Sequence, residues 1–222
     1  MKIIITGICG TIGHHVCEHF LRNTDWDIIG VDNLSYASLG YDRLRDIEAF
    51  DDKRVKLVGW DISYLPTPGI VRELQGADFI LHLAAETHVD RSIEDPLPFV
   101  TANVLGMQHM INLLRDHLPT VKLMVNFSTD EVFGPAPVGV YYSEHDKFNP
   151  QNPYASTKAA AVHLCDAAIN THKLPICTTF TMNVFAERQT PEKFIPLCIN
   201  KVISGDLLEI HADETKTISG SR

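Results

Sequence analysis

Lys2-Ile3-Ile4-Ile5-Thr6-Gly7-Ile8-Cys9-Gly10-Thr11-Ile12-Gly13 opens with a β-branched apolar run, turns through a glycine loop and enters a helical pattern. In that setting Gly7 permits a tight turn, Gly10 lets backbone approach a pyrophosphate, and Gly13 allows close helix–strand packing. The exposed N–H groups and the helix dipole then favour an anion. A second strand ends in Val31-Asp32-Asn33, about 20 residues on, where such loops find their acidic partner. A carboxylate at Asp32 accepts from both ribose hydroxyls and repels a 2′-phosphate, which favours NAD over NADP. The alternative is a structural glycine turn with Asp32 as a strand-end cap.

Outward from this stretch, short β-branched runs alternate with helical patterns. Strands are expected at 2–6, 27–32, 55–58, 79–83, 122–128 and 176–181, and helices at 12–22, 41–50, 69–75, 98–117 and 153–171. Several strands are apolar on consecutive residues, as strands covered on both faces are. Alternation of this kind predicts an α/β fold, a Rossmann-like doubly wound parallel sheet with helices on both faces. Two further strand ends fit the same cleft. Asp61-Ile62 is placed to meet an adenine edge, and the small Leu83-Ala84-Ala85 to let backbone lie against a cofactor; either also reads as a tight turn. A long Pro/Gly-rich loop, 134–153, precedes the helix at 153, and long loops in compact domains tend to be functional.

That helix opens Asn152-Pro153-Tyr154-Ala155-Ser156-Thr157-Lys158. Tyr154 and Lys158 are i and i+4 and share one face. An ammonium beside a phenol is expected to lower the tyrosine pKa and make Tyr154 a base, with Lys158 also holding a ribose. As an isolated motif the pair reads more readily as a surface contact. The preceding strand ends Ser128-Thr129-Asp130-Glu131-Val132-Phe133-Gly134, at the edge where open α/β sheets bind ligands. Thr129 can donate to a reacting oxygen, and Asp130 and Glu131 can act as acid and base if their environments separate them. A solvated acidic turn is the plainer reading of a lone Asp-Glu.

The 222 residues carry 28 acidic and 19 basic side chains, a net charge of −9. This argues against nonspecific binding to nucleic acid or an anionic membrane. No apolar run approaches the roughly 20 residues that span a bilayer. Five scattered cysteines without a CxxC pair and an opening without a signal-peptide layout lead to the expectation of a reduced cytoplasmic protein. The histidines, including His14-His15 and His82/His88, lack ligand spacing, so no metal is expected. Cys9 lies where a helix dipole can lower a thiol pKa, though a small space-filling residue is the simpler reading.

Taken together, these segments resemble the extended short-chain dehydrogenase/reductase family, among the NAD-dependent sugar-nucleotide epimerases and dehydratases, and most of all its dTDP-glucose 4,6-dehydratase branch. The resemblance is carried by 6–13, Val31-Asp32-Asn33-Leu34-Ser35-Tyr36-Ala37, Ala84-Ala85-Glu86-Thr87-His88-Val89-Asp90-Arg91-Ser92-Ile93, 128–134, 153–158 and Pro191-Glu192-Lys193-Phe194-Ile195-Pro196-Leu197. It implies that NAD is held by Gly7, Gly10, Thr11, Ile12, Gly13, Asp32, Asn33, Leu34, Ser35, Asp61, Ile62, Leu83, Ala84, Ala85, Tyr154 and Lys158. It implies a nucleotide-sugar substrate near Thr87, Thr129, Asn183, Glu192 and Lys193, with Thr129, Asp130, Glu131, Tyr154 and Lys158 catalytic. The reaction implied is redox-neutral: Tyr154 takes the C4 hydroxyl proton, Glu131 the C5 proton, and Asp130 protonates the departing C6 hydroxyl.

Two departures from the family pattern stand out. Asn183-Val184-Phe185-Ala186 replaces the usual Asn-Asn-Tyr-Gly, and Ala102 replaces a threonine that often touches the cofactor. Residues 1–182 are expected to form the NAD-binding domain, and 183–222 the start of a substrate-binding region that is largely truncated, because family members continue past Gly220-Ser221-Arg222. A homodimer, built on helices of the 100–114 region, is implied by the resemblance. A 4-epimerase, or a remnant that binds NAD without turning over a sugar, are the competing readings.

Overall fold

The structure is a computed structural model that describes residues 1–208; the polar stretch 211–222, where a truncated substrate region was expected to stop, lies outside the described residues. Strands β1 (Lys2–Thr6), β2 (Asp27–Asp32), β3 (Val55–Gly59), β4 (Phe79–His82), β5 (Leu123–Thr129) and β6 (Ile176–Thr181) form one sheet in the order β3-β2-β1-β4-β5-β6. Every pairing is parallel. The expected α/β doubly wound sheet is what forms, with strand limits shifted by a residue or so at β3, β4 and β5.

Side-chain alternation in β1 explains why both faces must be covered. Ile4 faces a core of Ile29, Val31, Ile80 and Met124 that packs under two long helices. Ile3 and Ile5 face the opposite core, with Ile28, Ile8 and Cys17. Truncating a buried isoleucine of this kind to alanine costs about 2–5 kcal/mol. Helix α1 (Thr11–Asn23) covers the second face. Shorter helices follow: α2 (Asp42–Asp46), α3 (Pro68–Leu74), α4 (Val89–Glu94) and α5 (Leu97–Phe99); then come α6 (Gly106–His117), α7 (Pro153–His172) and α8 (Phe194–Ser204). Of these, α6 and α7 cover the first face.

Local chemistry sets the helix ends. The Asn152 side chain accepts from the Ala155 N–H at 2.7 Å, Pro153 occupies the first turn, and Lys173 closes α7 in the left-handed conformation at φ 56°. The helix expected over 41–50 stops at Asp46, since Glu48 takes a positive φ of 60°. The one expected over 98–117 is not uniform: Val100–Leu105 is π-helical. Within it, buried Asn103 gives all its side-chain polar atoms to other elements. Its Oδ1 accepts from Glu86 N at 2.9 Å, and its Nδ2 donates to Glu86 O and Thr157 Oγ1 at 3.0 Å each. A wide turn that lets a side chain serve a neighbouring loop is a common origin of π segments at functional sites. Helix α4 and the 3₁₀ turn Asp130–Phe133 are too short to carry an apolar period and were not expected; α8 was not expected either, although Phe194, Cys198 and Val202 recur at helical spacing. No helix among the described residues is long and apolar enough to cross a membrane.

Candidate active site

The first three strands and β4 end in loops that enclose a cleft. Its walls include Gly7, Gly10, Asp32, Asn33, Ser35, Asp61, Ile62, Leu83, Ala84 and Ala85, together with Glu86 and Ala102. The loop glycines are required by contact. A Cβ on Gly13 would lie 2.1 Å from Gly7 O, and one on Gly7, at φ 71°, would lie 2.9 Å from Ala84 N. Gly10 is the N-cap of α1, and no side chain caps that helix. The first-turn amides of Thr11, Ile12 and Gly13 therefore have no side chain competing with an anion.

Asp32 is oriented from both sides. Its two oxygens accept from Cys9 N at 2.9 Å and Leu34 N at 2.8 Å. Burial pushes its carboxyl up, and those two N–H groups and Arg43 oppose the push. Leu34 makes the turn possible at φ 54°. Asn33 ties two strand ends together: its amide donates to Asp61 Oδ2 at 3.3 Å, while its oxygen accepts from Ser35 N at 3.0 Å. Cys9 is buried, and burial with the nearby Asp32 pushes its thiol up to about 12. That overturns the idea of a dipole-activated thiol, because the carboxylate and the apolar packing outweigh the helix end.

The role of two residues behind the cleft escaped the sequence reading. The Thr6 hydroxyl accepts from Leu83 N and Ala84 N, both at 3.1 Å, so its own hydrogen is left for His82 Nδ1 at 2.9 Å. That makes His82 the neutral tautomer protonated on Nε2. Burial, with Lys158 nearby, holds its pKa down to about 3. The lock fixes the 83–85 backbone against Gly7. A polar residue closing an apolar strand is its only trace in the sequence.

The second part of the site lies past β5. Thr129 caps the 3₁₀ turn by accepting from Glu131 N, and its hydroxyl reaches Asp130 Oδ1, both at 3.3 Å. Glu131 accepts from Asn152 Nδ2 at 3.0 Å. Burial raises its pKa, the Asn152 bond pulls it back, and Asp130 pushes it up again. Tyr154 is only 8% exposed and Lys158 5%, so the pair is no surface contact. Ser92 on α4 accepts from Tyr154 N at 3.2 Å and seats the start of α7.

The expected lowering of the Tyr154 pKa is not found. Burial drives the phenol above its ordinary value, Glu131 and Asp130 add to the rise, and a hydrogen bond with Thr129 opposes it. Lys158 does not counter this, because its ammonium donates to Phe127 O at 2.6 Å, and burial lowers its own pKa to about 8.

Of the expected substrate residues, the structure joins Lys193 to Thr87 and pairs Glu192 with a neighbouring arginine. Lys193 Nζ donates to Thr87 O at 3.3 Å and Oγ1 at 3.4 Å, and Glu192 pairs with Arg91 at 3.3 Å. Burial lowers the Lys193 pKa, with Glu192, Glu131 and Glu86 opposing. Asn183 stands apart, exposed past β6, with no hydrogen bond to the others among the described residues.

A parallel sheet with this glycine loop, an acid after β2 and a buried Tyr/Lys pair after β5 defines a dinucleotide-binding protein of the short-chain dehydrogenase/reductase class. The family model described as GDP-mannose 4,6 dehydratase matches residues 4–218. The chain belongs to that family, the extended short-chain dehydrogenase/reductases that act as NAD-dependent sugar-nucleotide dehydratases and epimerases. It is 36% identical over 214 residues to the low-salt glycan biosynthesis protein Agl12 of Haloferax volcanii, covering 96% of this chain and 66% of that protein. It is 33% identical over 229 residues to a dTDP-glucose 4,6-dehydratase of Escherichia coli, covering 96% of this chain and 62% of that one. Among solved structures, it matches DesIV, the dTDP-glucose 4,6-dehydratase of Streptomyces venezuelae with NAD and TYD bound, at a TM-score of 0.85 and 34% identity. That match covers 96% of this chain and 65% of the other. The UDP-glucuronic acid 4-epimerase of Bacillus cereus in complex with UDP-glucuronic acid and NAD matches at 0.85 and 27%, over 97% and 67%. The chain thus spans 62 to 66% of the length of the curated relatives it matches.

Proposed function

We propose that the chain is the NAD-binding part of a sugar-nucleotide 4,6-dehydratase acting on a dTDP-glucose-like NDP-hexose. Residues 1–182 form the cofactor domain, and 183 onward begins the substrate-binding region. The observation that carries the reading is the convergence of Asp130, Glu131 and Tyr154 past β5, supported by the dehydratase relatives. The cleft fits the dinucleotide, since glycines stand where any Cβ would meet backbone and the Asp32 carboxylate is held for a ribose. NAD, when bound, supplies the hydride acceptor at sugar C4 and the donor at C6.

Each residue then has a task. Tyr154 removes the C4 hydroxyl proton, with Thr129 hydrogen-bonded to the same oxygen. Lys158 would hold the nicotinamide ribose when the cofactor is bound, and would then bring its positive charge toward the phenol. The ketone at C4 acidifies C5–H, and Glu131 takes that proton. Asp130 protonates the C6 hydroxyl as it leaves. Lys193 and Thr87 contact the nucleotide-sugar side. The raised pKa of Glu131 suits a base that must hold and release a proton.

A 4-epimerase is the second reading, on the strength of the epimerase backbones that superpose equally well. Such a reaction needs no acid–base pair for loss of water, so the adjacent Asp130 and Glu131 favour dehydration. Incubation with NAD and dTDP-glucose is expected to give the alkali-absorbing 4-keto-6-deoxy sugar. A C4-inverted sugar in the NMR spectrum would identify an epimerase instead. NAD binding without sugar binding in calorimetry would identify a cofactor-binding remnant.

A homodimer is supported by Leu97, Val100 and Leu105, which stay exposed along the α5–α6 stretch. A reducing, cytoplasmic setting is supported by five free thiols.

A further inference from the structure

Arg43 on α2 is 2% exposed, yet among the described residues no carboxylate lies within ion-pair distance of it. Its guanidinium is instead filled by oxygens of three separate segments. Nη1 donates to Cys9 O at 3.0 Å, in the glycine loop, and to Ala37 O and Ser38 O at 2.6 and 3.1 Å, in the loop after β2. Nε donates to Arg188 O at 2.9 Å and Nη2 to Thr190 Oγ1 at 3.2 Å. A planar fork of fixed donors holds several acceptors in one geometry, which a lysine cannot do. A buried guanidinium held by fixed carbonyl and hydroxyl oxygens, with the Asp32 charge nearby, is costly to disturb.

The third segment is what gives this cluster a consequence. After its anchor at Arg43, it reaches the opposite wall of the cleft, where Lys193 donates to Thr87 and Glu192 pairs with Arg91. Arg91 also stacks its guanidinium over the Tyr36 ring at 3.8 Å, joining the two walls directly. Since β1 lies between β2 and β4 in the sheet, a segment tied to the loops of both crosses the end of β1. That end is where the glycine loop begins. His15, in the first turns of α1, shares a hydrogen bond with Glu187 O at 3.0 Å and fixes the start of the crossing.

We infer that residues 187–193 form a strap across the cofactor cleft and that Arg43 is the positioning residue that fastens it to the glycine loop and the ribose loop. This rests on the cofactor reading above. A dinucleotide seated in the cleft leaves only when the strap lifts, so the cofactor stays through successive turnovers. That suits a reaction which returns its hydride and needs no exchange.

The test is a displacement experiment. The chain is loaded with NADH, excess NAD is added in a stopped-flow instrument, and NADH fluorescence is followed. Thr190→Val removes one acceptor of the guanidinium and leaves Arg43 with its other oxygens in place, and Arg43→Lys keeps the charge while losing the fork. Release is expected to be roughly tenfold faster in T190V and faster still in R43K, one such bond being worth about that factor. Variants that melt at lower temperature yet release NADH at the wild-type rate make Arg43 a packing strut and overturn the strap. Should R43K fail to fold, T190V alone decides. Absence of NADH binding by the wild-type chain sinks the cofactor reading, and the strap with it. Wild-type binding with unchanged release in T190V sinks the strap alone.

Discussion

Lys158 shows how one residue's burial governs a site. Its ammonium sits in a sheet–helix interface with a single carbonyl partner, and its pKa falls from an ordinary 10.5 to about 8. The folded chain therefore holds this proton less tightly than the unfolded chain. Between about pH 8 and 10.5 the unfolded state binds more protons, so this residue makes stability rise with pH across that window. Below pH 8 both states are protonated and the burial cost is constant. Urea titrations at pH 7.5, 9 and 10 are expected to show this rise in the wild-type chain and to lose it in Lys158→Met. An identical pH slope in both would contradict the burial of a titrating ammonium. Tyr154 is governed the same way: burial, with Asp130 and Glu131, raises its pKa, so it becomes an effective base only when bound groups change its surroundings.

At the scale of elements, the junction between the 3₁₀ turn and α7 is the most consequential. Asn152 caps α7 through Ala155 N and donates through the same amide group to Glu131. The cap and the carboxylate proposed as the base thus share one side chain. Asn152→Ala is expected to cost about 1 kcal/mol of stability from the lost cap. It is also expected to move the acid limb of the kcat profile to higher pH, because Glu131 loses the bond that holds its pKa down. Asn152→Asp restores the cap but puts a like charge beside Glu131, so the pH limb moves further while stability recovers. A limb that stays fixed in both variants would show that Glu131 is not the group titrating. The π segment at Val100–Leu105 works alongside, with Asn103 carrying the position of Glu86 to Thr157 on α7.

For the whole molecule, the exposed apolar side chains are unevenly placed. Leu97, Val100 and Leu105 lie on one helical stretch that flanks α7, and Leu97 is 70% exposed. Light scattering is expected to give twice the chain mass, and Leu97→Glu with Val100→Glu to give a monomer that still binds NAD; a monomeric wild-type chain would remove the dimer from the proposal. The sequence by itself determined the strand order in chain, the parallel class of the sheet and the cofactor loop. These follow from local quantities: β-branched runs, glycines where Cβ atoms cannot fit, and a carboxylate one βα unit later. It also placed Tyr154 and Lys158 on one helix face by their spacing, while their role came from the resemblance. What only the tertiary structure decided are the states of those groups and the contacts between distant segments. Lys158 turns to Phe127 O instead of supporting the phenol, Cys9 is raised by burial and by Asp32, and Arg43 meets oxygens from positions 9 to 190. Burial and neighbouring charge are set by residues far apart in the chain, and spacing along one segment carries no record of them.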